Sequence, residues 1–142
     1  METINWFCLK TWKQSSVNTA WCLLGCSIGD FGTIFFFQIY QVDVPILFIM
    51  TLAILNGLIT SIALETFILC LKHPFLFSLK TALGMSLLSM VSMEIAMNLT
   101  DYFYTGTAKL TPSAVALMLM AGFLTPLPYN YWRLKKFNKS CH

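Results

Sequence analysis

The sequence predicts an all-α membrane protein: four transmembrane helices in an antiparallel bundle, preceded by a short interfacial N-terminal helix. Three observations predict it. Hydrophobic residues make up 57% of the 142 and charged residues 11%, against about 25% charged in soluble domains. The mean hydropathy is +0.70. Four stretches reach the roughly 20 apolar residues that a spanning helix needs, and the polar residues gather at their ends.

The first 15 residues, with Trp6, Phe7, Leu9 and Trp12 among Lys10 and Lys13, have the composition of a helix lying in the membrane surface. Span one is expected over about 17–38. The apolar run after Lys13 is too long for the core of a cleaved leader and lacks a small-x-small cleavage site, so it reads as a retained span. Gln41, Val42, Asp43 and Pro45 end it, and span two follows over about 44–71. Lys72, His73 and Pro74 break the chain again. Span three is expected over about 77–100. Thr111 and Pro112 suit the N-cap and first position of span four, over about 112–132. Pro126 and Pro128 should kink or loosen its last turns. The domain organisation is therefore an interfacial segment at 1–15, a four-helix membrane domain at 16–132 and a basic tail at 133–142.

Lys10, Lys13, Lys72, Lys80, Arg133, Lys135, Lys136 and Lys139 fall at one end of this arrangement, with only Lys109 at the other. Both termini are expected in the cytoplasm, and the location is expected to be a bacterial inner membrane. The net charge of +3 forms no continuous basic face, which gives no case for nucleic acid. Five cysteines, an odd number, do not make a secreted disulfide framework. No nucleophile triad, zinc-protease motif or phosphate-binding loop is present, so no enzyme is expected.

Polar residues inside the spans carry the functional information. Asn18, Cys22, Cys26 and Asp30 recur every four residues along one side of span one. Gly25 and Gly29 form a small-xxx-small pair beside them, which lets another helix approach closely. On span three, Met90, Glu94, Met97, Asn98 and Asp101 share a face, with Met93 beside them. Span two adds Asn56, Thr60 and Glu65. A charged carboxylate at the bilayer centre costs about 2.5–3.5 kcal/mol on insertion scales. Asp30, Glu65 and Glu94 have no Lys or Arg at matching depth, so each must be protonated, hydrogen-bonded, hydrated or neutralised by a bound cation. Sulfur ligands favour Cu(I) and similar soft ions. Cys22 and Cys26 are candidate ligands on that ground, with Met90, Met93 and Met97 leading to them. Asn98 is placed to orient Glu94.

The stretch W-C-L-L-G-C-S-I-G-D at 21–30 resembles the H-C-x-x-G-C-x-I-G-E signature of a bacterial membrane-domain family of unknown function. S-M-V-S-M-E-I-A-M-N resembles its S-I-x-x-M-E-I-x-x-N, and P-Y-N-Y-W its P-x-N-x-W. The resemblance implies family positions at Cys22, Gly25, Cys26, Gly29, Glu94, Asn98, Pro128, Asn130 and Trp132, with Asp30 where the family has Glu. Trp21 stands where the family usually has His, and Ser86 where it often has Asp. Some members carry copper-related labels and His-rich tails, and this chain has no such tail.

Three functions are compatible with these residues. The first is binding or transport of a soft metal ion, Cu(I) above all, through a Cys/Met/carboxylate site. The second is a proton- or cation-coupled carrier or channel subunit using Asp30 and Glu94. The third is a non-transporting scaffold or assembly protein. The expected partners are the lipid bilayer and, for transport, further copies of the chain in a homo-oligomer.

Overall fold

The structure, a computed structural model, describes residues 6–136, the side chains of Met85 and Ser86 excepted. Among them are helices and connections but no strand. The helices are α1 (Leu9–Tyr40), α2 (Ile46–Cys70), α3 (Phe75–Thr81), α4 (Leu87–Thr105), α5 (Pro112–Leu124) and α6 (Leu127–Lys136), with a π-helical turn at Ala82–Ser86 between α3 and α4. Three segments are long and apolar enough to cross a membrane: Leu9–Tyr40, Ile46–Cys70 and Pro112–Lys136. The fourth expected span is broken. Its two parts, Phe75–Gly84 and Leu87–Thr105, meet at 52° and count as a span only if taken together. Gly84 in that turn has weak helix propensity, and wide π turns of this kind bend helices.

The expected interfacial helix is not a separate element. Residues from Leu9 onward form the first turns of α1, which runs unbroken for 32 residues. The reason is a continuous buried stripe: Thr11, Ser15, Thr19, Cys22, Cys26, Asp30 and Thr33 all face the interior. Thr19 takes the buried place expected of Asn18, which is half-buried. Residues 1–5 of the expected interfacial segment, and 137–142 of the basic tail with Lys139 and Cys141, lie outside the described residues.

Helix boundaries follow local chemistry. Gln41 ends α1 in the left-handed region (φ 47°) and Gly106 follows α4 at φ 71°. Gly106 N–H donates to the Tyr102 carbonyl at 2.9 Å, closing the last turn. Thr111 caps α5: its hydroxyl accepts from the Ala114 N–H at 3.3 Å, with Pro112 in the first turn. The bundle's last segment divides between α5 and α6, at the place where Pro126 and Pro128 stand.

α1 and α2 form the most extensive pairing. Asn56 Nδ2 donates to Thr33 Oγ1 at 2.8 Å, Thr60 Oγ1 to the Gly25 carbonyl at 2.6 Å, and Ser61 Oγ to the Cys22 carbonyl at 3.2 Å. Partners descend on one helix as they ascend on the other, so the two run in opposite directions. Gly25 and Gly29 make this approach possible. A Cβ on Gly25 would sit 2.7 Å from Ser61 Cα, and one on Gly29 would overlap the Asn56 carbonyl. The glycine pair is therefore used within the chain, between α1 and α2.

The two ends of the bundle are tied differently. At one end Gln38 and Leu110 exchange two hydrogen bonds, of 3.4 and 3.0 Å, between side-chain amide and backbone. Asp101 accepts from the Lys109 N–H at 3.1 Å and from Thr105 Oγ1 at 3.2 Å, fixing the α4–α5 connection. At the other end α6 packs on the start of α1. Asn130 Nδ2 donates to Thr19 Oγ1 at 2.8 Å, and Tyr131 stacks on Trp6 and contacts Trp12.

Candidate functional site

The interior of the bundle holds the polar residues singled out in spans one and three. Asp30 on α1 and Glu94 on α4 are fully buried, and Asn98 is 1% exposed. Asn98 Nδ2 donates to Asp30 Oδ1 at 3.1 Å and to the Glu94 carbonyl at 3.1 Å. Asn98 thus bridges the two acids through its amide, touching the backbone of Glu94 and not its carboxylate. The Glu94 carboxylate lies within electrostatic reach of Asp30 and is flanked by the Cys26 thiol.

Several acceptors at this site lack a donor. Both Glu94 carboxylate oxygens, Asp30 Oδ2 and Asn98 Oδ1 are buried with no N–H or O–H donor among the described residues, the Cys26 thiol being the one donor beside Glu94. A buried carboxylate in this condition is costly unless a proton or a cation neutralises it. Four such acceptors in one buried cluster make this the candidate site.

The room for Glu94 comes from α2. A Cβ on Gly57 would overlap the Glu94 carboxyl group. Gly57 belongs to a stripe of small residues, Ala53, Gly57 and Ser61, all buried. Their spacing of four residues is the signal in the sequence that marks this face of α2. Glu94 is therefore held in a notch cut by a glycine, between α1 and α2.

The sulfurs are also brought inward. Cys22, Cys26, Met90, Met93, Met97 and Met118 share the buried core cluster with Ile34 and Ala53. Met118, on α5, was not singled out from sequence; its helix showed no polar stripe to draw attention to it. Gly122, one turn on, is packed against Met97, whose Cγ would lie 2.7 Å from an added Cβ.

The two cysteines have different neighbours despite their proximity in sequence. Cys22 Sγ points to Glu65 Oε2 at 3.9 Å, while Cys26 lies between Ser61 and Glu94. Each thiol has its own glutamate. Glu65 thus sits apart from the Asp30–Asn98–Glu94 cluster, toward the end of the bundle where Arg133 is within electrostatic reach of Cys22. Among the described residues no group of three or more His, Cys, Asp or Glu side chains is arranged to hold a metal ion. Trp21, at the family's His position, is 49% exposed and faces away from the cluster. Ser86, the other departure, has no described side chain.

Long apolar helices packed around buried acids define a multi-pass α-helical membrane protein. The chain belongs to the family described as a domain of unknown function, DUF4396, whose model matches residues 11–139. No curated protein and no solved structure matches the chain.

Proposed function

We propose that this protein takes up a cation at the Asp30–Asn98–Glu94 cluster, as a carrier or channel subunit whose chemistry resides in the two acids. The observation that carries the proposal is the Glu94 carboxylate: buried, with no N–H or O–H donor and only the Cys26 thiol beside it, in a notch made by Gly57. Intramembrane acids without basic partners mark ion and proton pathways. A purely structural role would be served better by apolar side chains of the same volume. In this reading the broken pair α3–α4 completes a set of four antiparallel spans. Lys10, Lys13, Lys72, Lys80, Arg133, Lys135 and Lys136 put both termini in the cytoplasm, in a bacterial inner membrane. Transport through so thin a bundle calls for a homo-oligomer.

The test is ligand-linked stability, since a species that binds only the folded state raises its melting temperature. The purified protein is melted in detergent over a series of pH values and with Na⁺, K⁺ or Ag⁺, the last standing in for Cu(I). At least one of these should stabilise the wild type and not Glu94→Gln. If none separates the two proteins, the site assignment is wrong.

A second reading is favoured by the core itself, in which Cys22, Cys26, Met90, Met93, Met97 and Met118 are gathered. Such a set suits a soft monovalent ion such as Cu(I), with Asp30 and Glu94 neutralising its charge. Anaerobic Cu(I) titration should then give binding that is lost in a Cys22→Ser/Cys26→Ser double variant. Equal binding by both proteins would remove the cysteines as ligands.

A further inference from the structure

One end of the bundle carries a level rim of lysines. Ser61 Oγ donates to the Cys22 carbonyl across the antiparallel α1 and α2, so residues after Ser61 come level with residues before Cys22. Lys72 stands eleven residues after Ser61, and Lys10 and Lys13 stand twelve and nine before Cys22. At the same end Tyr131 packs on Trp12 with ring centroids 4.3 Å apart, and its hydroxyl accepts from the Cys8 N–H at 3.3 Å. Lys135 and Lys136 follow Tyr131 by one turn of α6, which sets them level with the start of α1. Lys10, Lys13, Lys72 and Lys136 are exposed, and Lys135 is half-buried.

Among the described residues no acid balances this charge at its own level. Residues 6–29 and 112–136 contain no Asp or Glu. Glu65, the acid of α2, stands seven residues short of Lys72 and points to Cys22.

Bare apolar side chains alternate with the lysines. Leu9 precedes Lys10 and is 83% exposed, Leu71 precedes Lys72 and is 71% exposed, and Phe7 is 91% exposed. Lys136 Nζ lies 4.7 Å from the centroid of the Trp132 ring, a pairing suited to the membrane–water interface. The length of α1 agrees. Its 32 residues span about 48 Å at about 1.5 Å each, against a hydrocarbon core of about 30 Å. Its far end, residues 34–40, is apolar and aromatic apart from Gln38. The excess length therefore falls at the lysine end, in the headgroup layer.

We propose that this rim is a binding surface for anionic phospholipid headgroups. The ammonium groups take the lipid phosphates, while Phe7, Leu9 and Leu71 enter the boundary between headgroups and acyl chains. A bilayer surface containing anionic lipid meets both needs within about one helical turn. A nucleic acid or a soluble acidic protein would satisfy the lysines and leave the leucines and Phe7 in water. The proposal is independent of the cation site.

The test is lipid selectivity, read by electron spin resonance. The full chain is reconstituted in phosphatidylcholine bilayers with a trace of chain-spin-labelled phosphatidylglycerol or phosphatidylcholine. The immobilised fraction of each label gives their relative association constant. At low salt the wild type should prefer phosphatidylglycerol about fivefold or more, the ratio that one basic residue near an anionic surface supplies. NaCl at about 1 M, which screens charges beyond about 3 Å, should bring the ratio close to one. Lys10→Gln/Lys13→Gln and Lys135→Gln/Lys136→Gln should each lower the ratio at least about twofold, and the quadruple variant further. Gln14→Ala, exposed beside Lys13 and uncharged, should keep the wild-type ratio. Size-exclusion elution and the melting temperature show which variants are folded, and the two double variants decide if the quadruple one is not.

A wild-type ratio of one at low salt overturns the proposal, as does a preference that the lysine variants leave unchanged. A ratio of one, with acylation of the rim lysines falling as the protein-to-lipid ratio rises, overturns it in favour of a second copy of the chain.

Discussion

Asn98 holds Asp30 by a single hydrogen bond of 3.1 Å across the α1–α4 contact, and each residue keeps one further oxygen without a partner. The pair is half-satisfied and deeply buried in the bundle. Replacing Asn98 by Ala leaves Asp30 with no side-chain donor from α4. The expected cost is about 1–3 kcal/mol, the penalty for stranding a buried polar group. Thermal melting in detergent reads it. The companion Asp30→Asn variant should melt closer to the wild type, because it removes the acid and keeps an acceptor for Asn98.

The notch over Gly57 gives a second prediction. Gly57→Ala places a methyl group into the Glu94 carboxyl, and overpacking of this kind costs typically about 1–3 kcal/mol. The cost should largely vanish when Glu94 is also truncated to Ala. A double-mutant cycle measures this coupling directly. Additive effects would mean that Gly57 does not shape the position of Glu94.

Two glycines of α1 should respond in opposite directions. Gly29→Ala drives a methyl group into the Asn56 backbone and should loosen the α1–α2 pairing. Gly32 has no atom near its missing Cβ. Gly32→Ala should be neutral or stabilising by up to about 1 kcal/mol, the gain from removing a glycine in a helix interior. Melting temperatures of the two variants provide the comparison.

At the other end, Asn130→Ala removes the hydrogen bond to Thr19 that fastens α6 to α1. α6 should then come away from the bundle more readily. Limited proteolysis after Arg133, Lys135 or Lys136 should proceed faster in the variant. Unchanged cleavage would show that the aromatic contacts of Tyr131 with Trp6 and Trp12 suffice to hold it.

Much of this architecture was legible in the sequence. Apolar length marked the long helices, and four-residue spacing placed Cys22, Cys26 and Asp30 on one face and Glu94 and Asn98 on another. The chemistry of Thr111–Pro112 fixed the start of α5. What escaped was long-range. A glycine in an apolar run does not say what fills its place, so Gly57 acquires meaning only when Glu94 is seen above it. The length of α1 escaped because Lys10 and Lys13 read as membrane-surface residues, while Thr11, Ser15 and Thr19 continue the buried stripe between them. The break between α3 and α4 depends on a π turn that no residue pattern announces. The separation of Cys22 from Cys26 depends on which glutamate each thiol meets, and Glu65 and Glu94 come from different helices.

The central claim is that Glu94 is the group that takes and releases the cation. The most direct measurement is infrared difference spectroscopy of the protein in lipid, recorded on a change of pH and on addition of each cation. The account predicts a carboxyl C=O band that appears or shifts in the wild type and is absent from Glu94→Gln. A difference spectrum with the same carboxyl band in both proteins would contradict it.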